Sequence, residues 1–320
     1  MKLDLHQLRV FVAVSRAGNV ARAADALGMT ASPVSRSLRE LERRTGPLFE
    51  RAYHDMRLLP RGRDLLPVAV DTLQLAGDFA DLAAGRAPVL RTAATPWSPG
   101  RVLDAYTRAI ADCGLPVDDQ DGDKSSGLID RLRHGEIDLA LIHMPIGLPG
   151  VASCALGAYR FELIVPLGDP IAVAAEDAGG VGIEAIAGRR VLMFPVAMQP
   201  TPSGELWHWL EEAGASRVEE VDLTTLHTLA TRLRRAGAIS VGVSGDDLPL
   251  HFREDQVVRV PLTGDQPAFQ LGLAWRATNP SRMAAIRAIE SRLRDELGAQ
   301  DGPGSLIATG QRGDGDPDRT

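Results

Sequence analysis

Cysteine is almost missing from this chain: Cys113 and Cys154 are the two thiols in 320 residues, 41 positions apart. Neither sits in a CxxC pair or a Cys/His cluster, so no disulfide framework and no metal site is expected, only two reduced thiols. Aromatics are sparse at 4%, and Trp207 and Trp209 read as core and cover rather than as a stacking platform. No apolar run reaches the ~18 residues of a membrane helix. The first residues lack the apolar segment of a signal peptide. A cytoplasmic protein without a membrane partner is the expectation. Catalytic spacings are missing as well: there is no GxSxG, no P-loop, no GxGxxG opening a helix and no HExxH. The seven histidines are scattered, each reading as a surface or satisfied core residue, and Glu219-Glu220 reads as a solvated strand edge. The chain is expected to be no enzyme and to need no cofactor.

What is present is an uneven distribution of charge. The whole chain carries a net −7, yet residues 1–63 hold 12 Lys and Arg against 6 Asp and Glu, a net of +6 that leaves −13 for the remainder. A basic head on an acidic body suits a protein in which one module touches phosphates and the rest stays off them.

Within that head, residues 20–42, VARAADALGMTASPVSRSLRELE, read as two short helices meeting at a tight turn. Asn19 is placed to cap the first, and Gly28 to end it in the left-handed region. Thr30 is placed to cap the second, with Pro33 in its first turn. Val34, Leu38 and Leu41 follow the helical period and form a buried stripe. The opposite face carries Ser32, Ser35, Arg36 and Arg39, short hydroxyls and long cations suited to base edges and phosphates in a major groove. An earlier helix starts at Asp4 and ends near Gly18. Downstream, RAYHDMRLLPRG (51–62) reads as a hairpin wing whose Arg51, His54, Arg57 and Arg61 reach the sugar-phosphate backbone.

The order AADALG, turn, SPVSRSLRELE, then PLFER and a wing ending in LxPxG-like residues resembles the N-terminal domain of LysR-type transcriptional regulators. Two departures stand out. Ala31 replaces a frequent glutamine at the start of the recognition helix, and Leu59 and Arg61 replace a common threonine and alanine. The resemblance implies DNA contacts from Thr30, Ala31, Ser32, Pro33, Ser35, Arg36, Arg39, Arg51, Arg57 and Arg61.

Residues 63–86 read as a linker helix kinked near Pro67, with Leu66, Leu73 and Ala76 in an a/d-like seam; in the family this helix forms the dimer. From residue 87 the texture alternates between short apolar runs and helices, an α/β pattern with parallel strands. LIDRLRHGEIDLALIHMPIGLPGV and FELIVPLGDPIA within it resemble the effector-binding part of the same regulators. The expected architecture is therefore an α/β chain with a winged helix-turn-helix (1–62), a linker helix (63–86) and a two-lobed, periplasmic-binding-protein-like effector domain (87–298). Lobe I covers about 87–158 and 268–298, and lobe II about 162–265. Residues 299–320, rich in Gly, Asp, Pro and Arg, read as a disordered tail.

Ligands of such folds favour the crevice at the carboxyl ends of parallel strands, where helix N-termini offer N–H groups. Thr95, Trp97 and Ser98 follow one strand; Ser125 and Ser126 precede a helix. The resemblance matches both loops to an effector pocket faced by Val196 and Met198 from the other lobe. The reading is a homo-oligomeric regulator, a dimer or a dimer of dimers, that binds double-stranded DNA and a small polar or anionic effector, with RNA polymerase as a further partner. A constitutive regulator with a non-binding cleft, and a DNA-binding head fused to an enzyme or solute-binding module, are the alternatives.

Overall fold

The computed structural model describes residues 4–52, 55–96, 98–144, 150–196, 200–221, 228–243, 256–267, 269–278 and 280–298. The tail after 298, His54, Trp97 and Met198 lie outside the described residues.

The head consists of α1 (Leu5–Ala17), α2 (Val20–Ala26) and α3 (Ala31–Thr45), followed by the antiparallel hairpin β1 (Phe49–Ala52) and β2 (Asp55–Leu58). Its helix ends are set locally. Asp4 accepts the N–H of His6 at 2.9 Å and Asn19 that of Ala21 at 2.7 Å, while Gly28 takes φ 64° beyond α2, a conformation that penalises a Cβ. The small side chains of Ala23 and Ala24 let Val34 and Leu38 of α3 approach, and these join Phe11, Val14 and Leu48 in one core. Phe11 and Phe49 meet edge to face at 5.6 Å.

The linker helix α4 (Pro60–Ala83) begins three residues before the expected 63, because Pro60, lacking an N–H, is a favourable first helical residue. It continues through Pro67 without a break. Leu66, Ala69 and Val70 are buried in the core of the head.

The remainder forms two five-stranded sheets. The first contains β3 (Leu90–Ala94), β4 (Val117–Asp119), β5 (Leu139–Met144), β6 (Val151–Tyr159) and β12 (Phe269–Arg276) in the order β4-β3-β5-β12-β6. The second contains β7 (Phe161–Pro166), β8 (Arg190–Met193), β9 (Arg217–Glu220), β10 (Ala238–Val243) and β11 (Val257–Pro261) in the order β11-β7-β10-β8-β9. The sheets are mixed rather than parallel throughout. Each has two parallel and two antiparallel ladders, so that one strand, β12 in the first and β7 in the second, runs against the other four. The reason is connectivity: β12 returns from the second lobe and enters the first sheet in the reverse direction. Helices α5 (Gly100–Ala111), α6 (Ser125–Arg133) and α10 (Pro280–Gly298) cover the first sheet, and α7 (Pro170–Ala178), α8 (Pro200–Glu212) and α9 (Leu229–Ala236) belong to the second lobe. Among the described residues no helix is long and apolar enough to cross a membrane.

Candidate DNA-binding face and effector cleft

Helix α3 divides its two faces as its period requires. Val34, Leu38 and Leu41 are buried, Ser32, Arg36 and Arg39 are exposed, and Ser35 is half-buried. Among the described residues no ion pair occupies Arg36 or Arg39. Two other cations are withdrawn: Arg43 and Arg44 both close on Glu40, at 2.8 and 2.6 Å, and the Arg43 hydrogen bond, followed by that of Arg44, holds the Glu40 carboxyl down to about 2. Thr30 occupies the N-cap position but makes no capping bond through its side chain. The third helical residue, whose N–H such a cap often takes, is Pro33, which has none. The Thr30 hydroxyl and the exposed Ala31 and Pro33 thus all sit at the open end of the helix.

The wing packs through β2 against α1 and α4, and the Met56 N–H donates to the Gly18 carbonyl at 2.8 Å. Arg57 is exposed and pairs with Asp55 at 2.9 Å, which raises its pKa. The side chain of Arg51 lies outside the described residues. Arg61 is not on the wing: it stands in the first turn of α4 and donates Nε to the Thr45 carbonyl at 3.2 Å, closing on the end of the recognition helix. Sequence reasoning passed over Glu42. Its Oε1 accepts the N–H groups of Leu48 at 3.0 Å and Phe49 at 3.3 Å, tying the wing to α3. An acidic residue near a helix C-terminus opposes the dipole, and that mismatch is the signal a reader could have used.

In the effector domain, the parallel ladder between β3 and β5 breaks at the carboxyl ends of both strands. Thr95 donates its N–H to the Leu141 carbonyl at 2.9 Å. The N–H of His143, two residues along, goes instead to Ser125 Oγ at 3.0 Å. Thr95 and Ser125 therefore flank one strand end, bonded to positions about 7 Å apart. The Thr95 hydroxyl is buried, at 1% exposure for the residue, and Oγ1 has no hydrogen-bond partner. Ser125 is the first residue of α6, after Lys124 at the cap position, so it is no N-cap. Its oxygen accepts from β5 and its own O–H is left to donate. Ser98 bonds back to the Thr95 carbonyl through Oγ at 3.0 Å, so its hydroxyl serves its own loop. Ser126 is exposed. From the second lobe, the Val196 N–H is fixed by Glu220 at 3.0 Å. Glu219 closes on Arg190 at 2.5 Å and Arg217 at 3.0 Å, so Glu219-Glu220 is a paired edge rather than a freely solvated one. His143 is buried, and burial pushes its pKa down to about 3. It stands neutral beside these hydroxyls.

Of the linker seam, Leu66 is unavailable to another subunit, since it is 2% exposed inside its own head. Leu73 packs on the same core, and Ala76 is half-buried. The apolar residues that α4 leaves in the open are Val68, Leu75, Phe79 and Leu82, the last two 76% and 60% exposed.

A winged helix-turn-helix joined by one long helix to a two-lobed α/β domain defines a bacterial one-component regulator architecture. Residues 5–63 match the family of bacterial regulatory helix-turn-helix proteins of the lysR type, and residues 121–298 match the LysR substrate-binding domain. The chain belongs to the LysR family. A probable hydrogen peroxide-inducible genes activator from Mycobacterium leprae (strain TN) is 31% identical over 173 residues, 51% of this chain and 55% of that protein. The chain thus spans about half the length of such relatives. The HTH-type transcriptional regulator IlvR of Caulobacter vibrioides is 27% identical over 288 residues, 86% of this chain and 92% of that protein. Among solved structures, a full-length OxyR variant from Pseudomonas aeruginosa superposes with a TM-score of 0.62 at 23% identity, covering 92% of this chain and 98% of that one. That likeness is one of fold.

Proposed function

We propose that this protein is a ligand-responsive transcriptional regulator of the cytoplasm that grips double-stranded DNA through α3 and the wing and binds a small polar or anionic effector between its lobes. The observation that carries the reading is the exposed Ser32/Arg36/Arg39 face opposite the buried Val34/Leu38/Leu41 stripe. Arg36→Ala should weaken binding to a near-palindromic site in the DNA flanking this gene by about 1–3 kcal/mol and relax preference at one base pair. An unchanged affinity at fixed salt would sink the assignment of α3 as the reading helix. The partnerless buried hydroxyl of Thr95 and the free donor of Ser125 support an effector with acceptor oxygens, such as a carboxylate.

The exposed stripe of α4 supports a homo-oligomer joined along that helix. Phe79→Glu should lower the sedimentation coefficient toward that of a monomer; an undisturbed oligomer would move the interface elsewhere. The name of the mycobacterial relative raises a peroxide response, and a response through the buried Cys154 is disfavoured. Burial, then the Glu290 charge, push the Cys154 thiol up, away from the reactive thiolate. Residues 160–267 contain no cysteine.

A further inference from the structure

Beneath the linker helix, four segments far apart in sequence bring charged groups together away from solvent. Asp71, Gln74 and Asp78 recur at i, i+3 and i+7 on α4, a third face distinct from those turned to the head and to solvent. Asp138, fully buried at the entry to β5, accepts from the Arg91 N–H at 3.0 Å, from Arg91 Nε at 3.0 Å and Nη2 at 2.9 Å, and from Gln74 Nε2 at 2.9 Å. Arg282 grips Asp78 with two bonds of 2.8 and 2.9 Å, and its Nε lies 3.2 Å from Asp138. Arg276, 2% exposed at the end of β12, stands 3.4 Å from Asp71 and 3.6 Å from Asp138. Packing there is close: at Gly135 (φ 72°) a Cβ would come within 2.7 Å of Arg276 Nη1 and 2.6 Å of Val70 on α4. Three carboxylates balance three guanidiniums. The head adds two contacts of its own to the same lobe, Ser15 Oγ to His134 Nε2 at 3.2 Å and Arg16 to Glu136 at 2.7 Å.

We infer that Asp138 is a positioning residue that locks the linker helix, and with it the DNA-binding head, onto lobe I as a single rigid arm. Burial is what gives the cluster this power. Exposed ion pairs are screened and exchange with water, whereas removing one member of a buried cluster strands the charges of the others. The placement also ties the arm to the cleft. Strand β5 begins one residue after Asp138 and carries His143 near its far end, about 17 Å away along a hydrogen-bonded strand. The lobe that presents Thr95 and Ser125 is therefore the lobe that fixes the direction of the head.

The test needs neither effector nor operator, so its failure would leave the proposed function standing. Spin labels are placed at Arg22→Cys in the head and Leu103→Cys on α5 in a Cys113→Ser, Cys154→Ala background, and labelled chains are diluted with unlabelled ones to isolate distances within a chain. Double electron–electron resonance should give one narrow distance, unchanged between low and 1 M salt. Asp138→Asn should add a broad component to it, since removing one charge strands the others of the buried cluster, while Asp138→Glu restores part of the narrow component and the near-UV circular dichroism stays that of the parent. A broad distance in the parent, or an equally narrow one in Asp138→Asn, would overturn the inference. Should Asp138→Asn not fold, Asp78→Asn decides in its place, since it breaks the clamp from the helix side without touching the sheet.

Discussion

The proposed DNA-reading face and the proposed effector site differ in the physical means each offers a partner. On α3, Arg36 and Arg39 stand in water with no ion pair among the described residues, so on the proposed reading their contacts with DNA would displace counterions and be sensitive to salt, whatever base Arg36 also reads. At the strand ends of lobe I, Thr95, Ser125 and His143 are buried and neutral. On the proposed reading, binding energy there would come from completing the hydrogen bond that the fold leaves open at the Thr95 hydroxyl, a short-range term that salt screens little. One molecule thus keeps its two binding events on separate electrostatic footings. On the proposed reading, a change in ionic strength should weaken the grip on DNA far more than it alters what the cleft selects.

The largest expected effect breaks this separation through pH. Burial holds His143 at about 3 in the folded chain, against about 6.5 when unfolded. Above pH 6.5 both states are neutral. Below it the unfolded chain takes up a proton that the folded chain refuses, so stability falls by about 1.4 kcal/mol per pH unit down to roughly pH 3. Urea unfolding at pH 6.5 and 5.0 should therefore show a loss in wild type that His143→Leu reduces by about 2 kcal/mol. His134, whose pKa burial also lowers, contributes a residual slope to both proteins. Identical slopes would mean that the folded chain takes up a proton on His143 as readily as the unfolded chain does, so that burial does not hold it neutral.

Next in size is the effector contact itself. Ser125→Ala removes a donor and also the oxygen that accepts the His143 N–H, whereas Thr95→Ala removes a hydroxyl with no hydrogen-bond partner in the fold. Calorimetric titration of a carboxylate chosen from a thermal-shift panel should show each variant weaker by about 0.5–1.5 kcal/mol. Ser125→Ala alone should also lower the melting temperature without ligand, because it orphans a buried N–H. Equal affinities in all three proteins would place the pocket elsewhere.

How much of this was legible in the sequence follows the range of the interactions involved. The Asp4 and Asn19 caps, the turn glycine and the Val34/Leu38/Leu41 stripe are local signals that the head follows, whereas the capping bond expected of Thr30 is absent. The wing boundary slipped because Pro60 reads equally well as a turn residue or as a first helical residue, which moved Arg61 from hairpin to helix. The linker misled for a different reason. Its apolar residues make two stripes of similar period, and no spacing says that Leu66 and Leu73 turn inward to the head while Leu75 and Phe79 remain outside. The clamp was beyond reach: Arg91 and Asp138 are 47 positions apart, and Asp78 and Arg282 are 204 apart. Nothing in either neighbourhood marks the partner. His143 was passed over because a histidine at a strand end carries no local signature of its burial.

The smallest expected effect is the sharpest test of the electrostatic half of the comparison. Arg39 and Arg57 are both exposed cations of the head, and a count of charges treats them as equal. They differ in that Arg57 already pairs with Asp55 at 2.9 Å, while among the described residues no ion pair holds Arg39. A cation bound to a carboxylate brings little net charge to a phosphate unless the pair first opens. Arg39→Ala should therefore lower the slope of log affinity against log salt by about 1. Arg57→Ala should lower it by less, because the loss leaves Asp55 facing the backbone but removes a charge that was largely cancelled already. Asp55→Asn separates the two cases, since freeing Arg57 should steepen the slope. If instead Arg57→Ala matched Arg39→Ala and Asp55→Asn changed nothing, the pair would be open on DNA and the wing would act as a free cationic arm.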